Sequence, residues 1–183
     1  APLHAGQRHT VWAYPPGAGP KGAVEAETWI TTSKHDKGAA TDAEYRLEIE
    51  NGLSDDVSLD VYLGVLKQTS GEGFKLDRVQ ASLRANLFGD KVRDVVDVTG
   101  YFEVKRDIEL SNPWEFEAIL IAGHAYGRLS WNLNVVYESE LGDAPAVHAT
   151  SFVYRIALTG DRRIQLDNRA TFQRLYGSEL QAK

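Results

Sequence analysis

Alternation with a period of two runs through most of this 183-residue chain and restricts it more than any other feature. In Val57-Ser58-Leu59-Asp60-Val61-Tyr62-Leu63-Gly64-Val65, apolar residues occupy every second position. Successive side chains of a β-strand point to opposite faces. Val57, Leu59, Val61, Leu63 and Val65 are therefore expected on one surface, with Ser58, Asp60 and Tyr62 on the other. A pattern of this length, repeated along the chain, points to an antiparallel up-and-down β-barrel with lipid outside and a polar lumen.

Nine segments carry the pattern or a weaker form of it, marked by period two and by β-branched and aromatic enrichment. They are Val24–Ser33, Glu44–Glu50, Val57–Lys67, Leu76–Phe88, Val95–Arg106, Trp114–Gly123, Leu129–Glu138, Thr150–Thr159 and Ile164–Phe172. Several are long enough for a tilted membrane strand, which needs about 9–11 residues. Strands of soluble proteins cluster near 5–6 residues.

The chain divides into a lead-in segment over 1–22, a barrel domain over 23–175 and a tail over 176–183. The lead-in contains Tyr14-Pro15-Pro16-Gly17-Ala18-Gly19-Pro20-Lys21-Gly22, whose prolines and glycines bar it from a central strand. It is expected to enter as a periplasmic segment or to plug the lumen, with Arg8–Tyr14 as a candidate short strand.

Connections are expected to differ between the two ends. Glycine-bearing turns follow the second, fourth, sixth and eighth segments, at Asn51–Asp56, Phe88–Lys91, His124–Arg128 and Thr159–Arg162. Longer polar loops follow the odd segments, at His35–Ala43, Gln68–Lys75, Asp107–Pro113 and Ser139–His148. Outer-membrane barrels distribute short turns and long loops in this way. Tyr45, Trp114, Tyr137 and Phe152, near the long-loop ends, suit an interfacial aromatic girdle or, alternatively, the core of a soluble β-sandwich.

Composition narrows the classes. Apolar residues make up 43% and charged residues 25%, which is not a disordered composition. A mean hydropathy of -0.35 and the lack of any long apolar run exclude a helical membrane protein, but not a barrel whose strands are half polar. The net charge of -6 argues against a nucleic-acid partner. Cysteine is absent, so disulfides and thiolate metal sites are excluded. With no methionine and a start at Ala1-Pro2-Leu3-His4, the chain reads as a mature protein whose signal peptide has been removed.

Three stretches carry a resemblance: Pro20-Lys21-Gly22-Ala23-Val24-Glu25-Ala26-Glu27-Thr28-Trp29-Ile30-Thr31, Asp36-Lys37-Gly38, and Glu48-Ile49-Glu50-Asn51-Gly52-Leu53-Ser54-Asp55. With the strands that follow, through Asn134-Val135-Val136-Tyr137-Glu138, they resemble a family of porin-like outer-membrane β-barrel proteins of Gram-negative bacteria whose function is unknown. The resemblance implies an integral barrel of the bacterial outer membrane with a porin- or transport-like role. It supplies no catalytic residue. The chain departs from barrel habit in two respects: it ends Leu180-Gln181-Ala182-Lys183 without a terminal aromatic, and nine strands is an odd number. A tenth strand is expected from Arg8–Tyr14, from the tail, or from strands beyond the carboxyl end.

The strongest polar signal is a mixed-charge face expected to line the lumen: Arg46, Glu48, Glu50, Asp60, Arg78, Arg84, Asp97, Glu103, Lys105, Glu115, Glu117, Glu138 and Arg155. Such a face either selects ions in an open pore or fills a narrow, salt-bridged barrel that conducts nothing. In a soluble sandwich the same charges would be solvated outer faces. The carboxylate pairs Glu48/Glu50 and Glu115/Glu117 have spacing compatible with acid–base chemistry or calcium, as do many solvated strands. His148 with Ser151, or His124, lacks a third orienting group and a nucleophile motif. His4, His9 and His35 lack ligand spacing.

The chain is thus expected to be no enzyme, without cofactor or metal. Expected partners are membrane lipid and either other membrane-complex subunits or a second copy. Its role would be a porin-like channel or a scaffold subunit, with a soluble periplasmic barrel or sandwich binding an apolar ligand as the alternative.

Overall fold

The computed structural model describes residues 13–34, 41–68, 73–88, 95–109, 112–141, 147–158 and 164–175. Nine strands form one antiparallel sheet in sequence order: β1 (Val24–Lys34), β2 (Thr41–Gly52), β3 (Val57–Gln68), β4 (Lys75–Asn86), β5 (Asp97–Asp107), β6 (Trp114–Tyr126), β7 (Leu129–Leu141), β8 (Val147–Leu158) and β9 (Ile164–Leu175). Each coincides with one of the nine segments read from the alternation. No helix occurs among the described residues. The sheet is curled and open, with no ladder joining β9 to β1 among the described residues. The closed barrel expected from the pattern is thus seen as an up-and-down half-barrel. Ala13 and Tyr14 belong to no strand; the remainder of the candidate strand at Arg8–Tyr14, and the tail, lie outside the described residues.

The concave face of the curl is polar and buried; the convex face is apolar and exposed. Asp60 is 0% exposed, whereas Leu83 on the neighbouring strand is 37% exposed and Leu120 49%. The ordinary rule places apolar groups inside because burial stabilises by about 25 cal/mol per Å². This sheet inverts it.

One strand corrects its sequence reading. A bulge interrupts the β3 registers between Tyr62 and Val65, leaving Leu63 and Gly64 to share one partner interval. An extra residue reverses the facing of everything beyond it. Val65 therefore turns inward and is fully buried, rather than joining Val57, Leu59, Val61 and Leu63, while Leu66 takes the outer position. Gly64, inside a strand, was the local signal of the bulge.

The connections also differ from expectation. Those after even strands comprise residues 53–56, 87–96, 127–128 and 159–163; those after odd strands comprise 35–40, 69–74, 108–113 and 142–146. The contrast in length between the two ends is not kept, since 87–96 is the longest of all. Strand pairing continues by backbone hydrogen bonds past the point where side-chain alternation fades. It absorbs Thr41–Ala43 and Ser139–Leu141 into β2 and β7. His124 likewise lies within β6 rather than in a turn; the turn is the two residues Gly127 and Arg128, with Gly127 at φ +57°. A hairpin of this length takes glycine at its first position because that residue needs positive φ.

Candidate functional site: the inner face and its crossing strap

The register assembles the inner face row by row. Gly52, Ser58, Arg84, Tyr101, Ile119 and Val136 stand opposite one another on β2 to β7. One step toward the odd-numbered connections, Glu50, Asp60, Ser82, Glu103, Glu117 and Glu138 do the same. Of the residues expected in the lumen, Glu48, Asp60, Arg84 and Glu103 are buried on this face. Arg46, Glu50, Arg78, Asp97, Lys105, Glu117 and Glu138 are half-buried, and Glu115 is exposed near the start of β6. The side chain of Arg155 lies outside the described residues; its backbone pairs with Asn132.

These charges are wired together. Arg78 donates from Nη2 to Glu44 Oε2 at 3.0 Å and from Nη1 to Asp77 Oδ2 at 2.7 Å, while Arg46 Nε lies 3.1 Å from Glu44 Oε1. Ser82 Oγ donates to Asp60 Oδ2 at 2.7 Å, with Arg84 Nε 3.7 Å from the same oxygen. Glu103 is the centre of the second group. Its Oε2 accepts from Gln80 Nε2 and from the Tyr101 hydroxyl, and its Oε1 lies 3.2 Å from Lys105 Nζ. In so buried a setting a charge persists only when paired or hydrogen-bonded, and each of these groups meets that requirement.

The opposite end of the face is filled by protein. Residues 13–22 cross it as a strap. Asn134 on β7 grips Tyr14 twice: Tyr14 N–H donates to Asn134 Oδ1 at 2.6 Å, and Asn134 Nδ2 donates to Tyr14 C=O at 3.0 Å. Gly17 N–H donates to Thr99 Oγ1 on β5 at 2.8 Å, and Gly19 N–H to Glu50 Oε1 on β2 at 3.2 Å. Gly22 N–H then donates to Gly52 C=O at 2.7 Å, feeding the chain into β1. From Tyr14 to Gly19 is five steps, at most about 18 Å of chain. A flat sheet would place β2 and β7 about 24 Å apart. The strap runs as a chord of the curl.

Beneath the strap the inner face turns apolar. Ala13, Tyr101, Ile119, Ile121 and Val136 form a buried cluster, with Tyr14 packed against it. The Tyr14 and Tyr101 rings stack with centroids 5.4 Å apart, and the Arg84 guanidinium lies 5.4 Å from one ring centroid and 5.5 Å from the other. Cation–π attraction of this kind strengthens when water is excluded. Two glycines make room. A Cβ on Gly52 would stand 2.0 Å from Pro20 O, and one on Gly123 would stand 2.5 Å from Asn132 Oδ1 and 3.2 Å from Pro16 Cδ.

The alternation groups the polar residues of this face but does not reveal this cluster. The signal was available: Phe116-Glu117-Ala118-Ile119-Leu120-Ile121-Ala122 becomes apolar on both faces after Glu117. A strand segment that turns apolar on its inner face as well needs cover there, and Ala13 and Tyr14 supply it. Of the lesser candidates, His124 Nδ1 lies 3.4 Å from Asp97 Oδ2. His4, His9, His35 and the side chains of His148 and Ser151 lie outside the described residues. Among the described residues no group of three or more His, Asp or Glu is placed to hold a metal.

No family model matches the chain, and neither the curated proteins nor the solved structures contain a match.

Proposed function

We propose that the chain is an integral β-barrel protein of the bacterial outer membrane, a porin-like channel or a scaffold subunit with a charged lumen. The observation that carries this reading is the inverted sheet: ionised groups enclosed, and Leu47, Val61, Leu83, Phe102, Leu120, Leu133 and Ile156 exposed on the convex side. A continuous apolar surface of this extent on a single chain marks contact with lipid or another protein, and strands of 11 to 13 residues suit a tilted crossing.

The outer aromatics add to it. Trp114 and Tyr126 share the outer side at opposite ends of β6, twelve steps apart. At about 3.4 Å per step and about 40° of tilt, they are separated by about 31 Å across the membrane. That brackets an apolar band about 25 Å tall. Arg106 lies over the Trp114 ring at 4.9 Å, a pairing suited to the headgroup level.

Lipid tolerates no open ladder. This reading therefore requires that the outer edges of β1 and β9, unpaired among the described residues, be paired in the membrane, with each other or with further strands. The alternative, a soluble periplasmic protein that binds an apolar ligand, would need some other body to cover the convex face.

Fractionation tests the reading. Expressed with an export signal, the protein should sediment with membranes, resist extraction by high salt and alkaline carbonate, and dissolve only in detergent. Recovery in the detergent-free supernatant would remove the membrane assignment.

A further inference from the structure

One transverse row of the inner face is almost entirely acidic. Following the ladders from β1 to β7, Glu25 stands opposite Glu50, Glu50 opposite Asp60, Asp60 opposite Ser82, Ser82 opposite Glu103, Glu103 opposite Glu117, and Glu117 opposite Glu138. Six carboxylates thus occupy seven consecutive positions around the curl. Directly opposed residues have Cβ atoms about 5 Å apart, and like charges so placed destabilise a sheet. Four of the six steps set one carboxylate against another, and the two that run through Ser82 do not, since Ser82 Oγ donates to Asp60 Oδ2 at 2.7 Å; the four like-charge steps oppose folding.

The rows on either side do not neutralise it. The row nearer the strap adds Arg84, and the row beyond adds Lys105 together with Glu27, Glu48, Glu115 and Glu140. Alternation along the sequence conceals the belt, because its members lie 10 to 25 residues apart and meet only through register.

A second observation concerns the oxygens themselves. Ser58 is fully buried beside Asp60 on the same face, and among the described residues its Oγ has no hydrogen-bond partner. Asp60 Oδ1 likewise has none, although Oδ2 of the same carboxylate is engaged. Arg84 Nε and Nη2, on the residue opposite Ser58, are also without a hydrogen-bond partner among the described residues, so these groups mark a polar space that water or a hydrated cation can occupy.

We infer that the belt makes the lumen a path for small cations and a barrier to anions. The inference rests on the channel reading above and adds the class of solute. Carboxylate rings act on permeant ions through their field: a low-dielectric wall focuses it, cations are enriched and anions repelled. No tight metal cage is implied; the carboxylates are spread around the curl, as suits a hydrated ion in transit.

The test is the reversal potential of the purified full-length protein in a planar lipid bilayer under a KCl gradient. A parallel sample carries Tyr14→Ala, which loosens the strap. Potassium should be favoured over chloride. Glu103→Gln and Glu117→Gln, combined in one variant, should each lower that preference about fivefold, the weight of one unit charge acting from about 4 Å in watery surroundings. Should that variant fail to fold, Glu25→Gln with Glu138→Gln alters the half-buried parts of the same row. Current that is anion-selective, or cation-selective but unmoved by either pair, overturns the inference and leaves the channel standing. Silence from both the wild-type and the Tyr14→Ala protein removes the channel reading and this inference with it.

Discussion

The two halves of the inner face solve the same problem in different ways. Near the turns after the even strands, Tyr101, Ile119, Ile121 and Val136 are covered by the strap and by Tyr14, so the space is filled with packed side chains. Toward the other end the space is held by charge: Arg78 with Glu44 and Asp77, Arg46 with Glu44, Lys105 with Glu103. Arg84 and Asp60 sit at the join, with the Arg84 guanidinium over two rings on one side and facing a carboxylate on the other. A curled sheet with polar walls does not need a greasy core. It needs each wall segment matched, either by a chain laid across it or by counter-charges across neighbouring strands.

The sharpest way to break this division is at the join. Arg84→Ala leaves Asp60, 0% exposed, without its cation and removes the group lying over Tyr14 and Tyr101. Loss of one member of a buried pair costs about 3–5 kcal/mol. Urea unfolding of detergent- or lipid-refolded protein should show a loss of that order, with part recovered when Asp60→Asn is added.

Next in size is a test of the outer face, which the proposed membrane reading turns toward lipid along both halves. Leu120→Arg should cost about 2–4 kcal/mol if that surface lies near the bilayer midplane. A solvated position would change by no more than about 0.5 kcal/mol. Refolding equilibria in vesicles separate the two outcomes.

Gly52→Ala attacks the filled half alone. Its Cβ would stand 2.0 Å from a backbone oxygen of Pro20, so the strap must shift. Overpacking of this kind costs about 1–3 kcal/mol. The strap should become a site of limited proteolysis while the far salt bridges keep their spectroscopic environment.

The smallest effect belongs to the charged half. Arg46→Ala removes a half-buried ion pair with Glu44 and a cation 5.9 Å from the Trp29 ring. Partly solvated pairs contribute about 0–1 kcal/mol, so the unfolding midpoint should barely move. A loss as large as that at Arg84 would show that the charged half is as tightly packed as the filled one.

Much of the fold was legible in the chain. The nine strands appear where period two and β-branched residues place them, and Asp60, Glu48, Arg84 and Glu103 are buried together on one face. Val65 faces inward because a bulge shifts the phase, and Gly64 is its local sign in the sequence. The inward cluster at Ile119 and Ile121 went unread because its covering, Ala13 and Tyr14, lies about a hundred residues away in sequence. Loop lengths were misjudged at 87–96, where the run of alternation and the end of hydrogen-bonded pairing do not coincide.

Alternation is a property of each strand by itself, since side chains leave an extended backbone on opposite sides whatever surrounds it. The sequence alone therefore determined that there would be strands, where they would lie and, between bulges, which residues would share a side. It could not determine which side would be enclosed, where the lead-in would dock, or which acids would become neighbours. Those depend on the direction of curl and on the register between strands, quantities set by contacts among residues far apart along the chain.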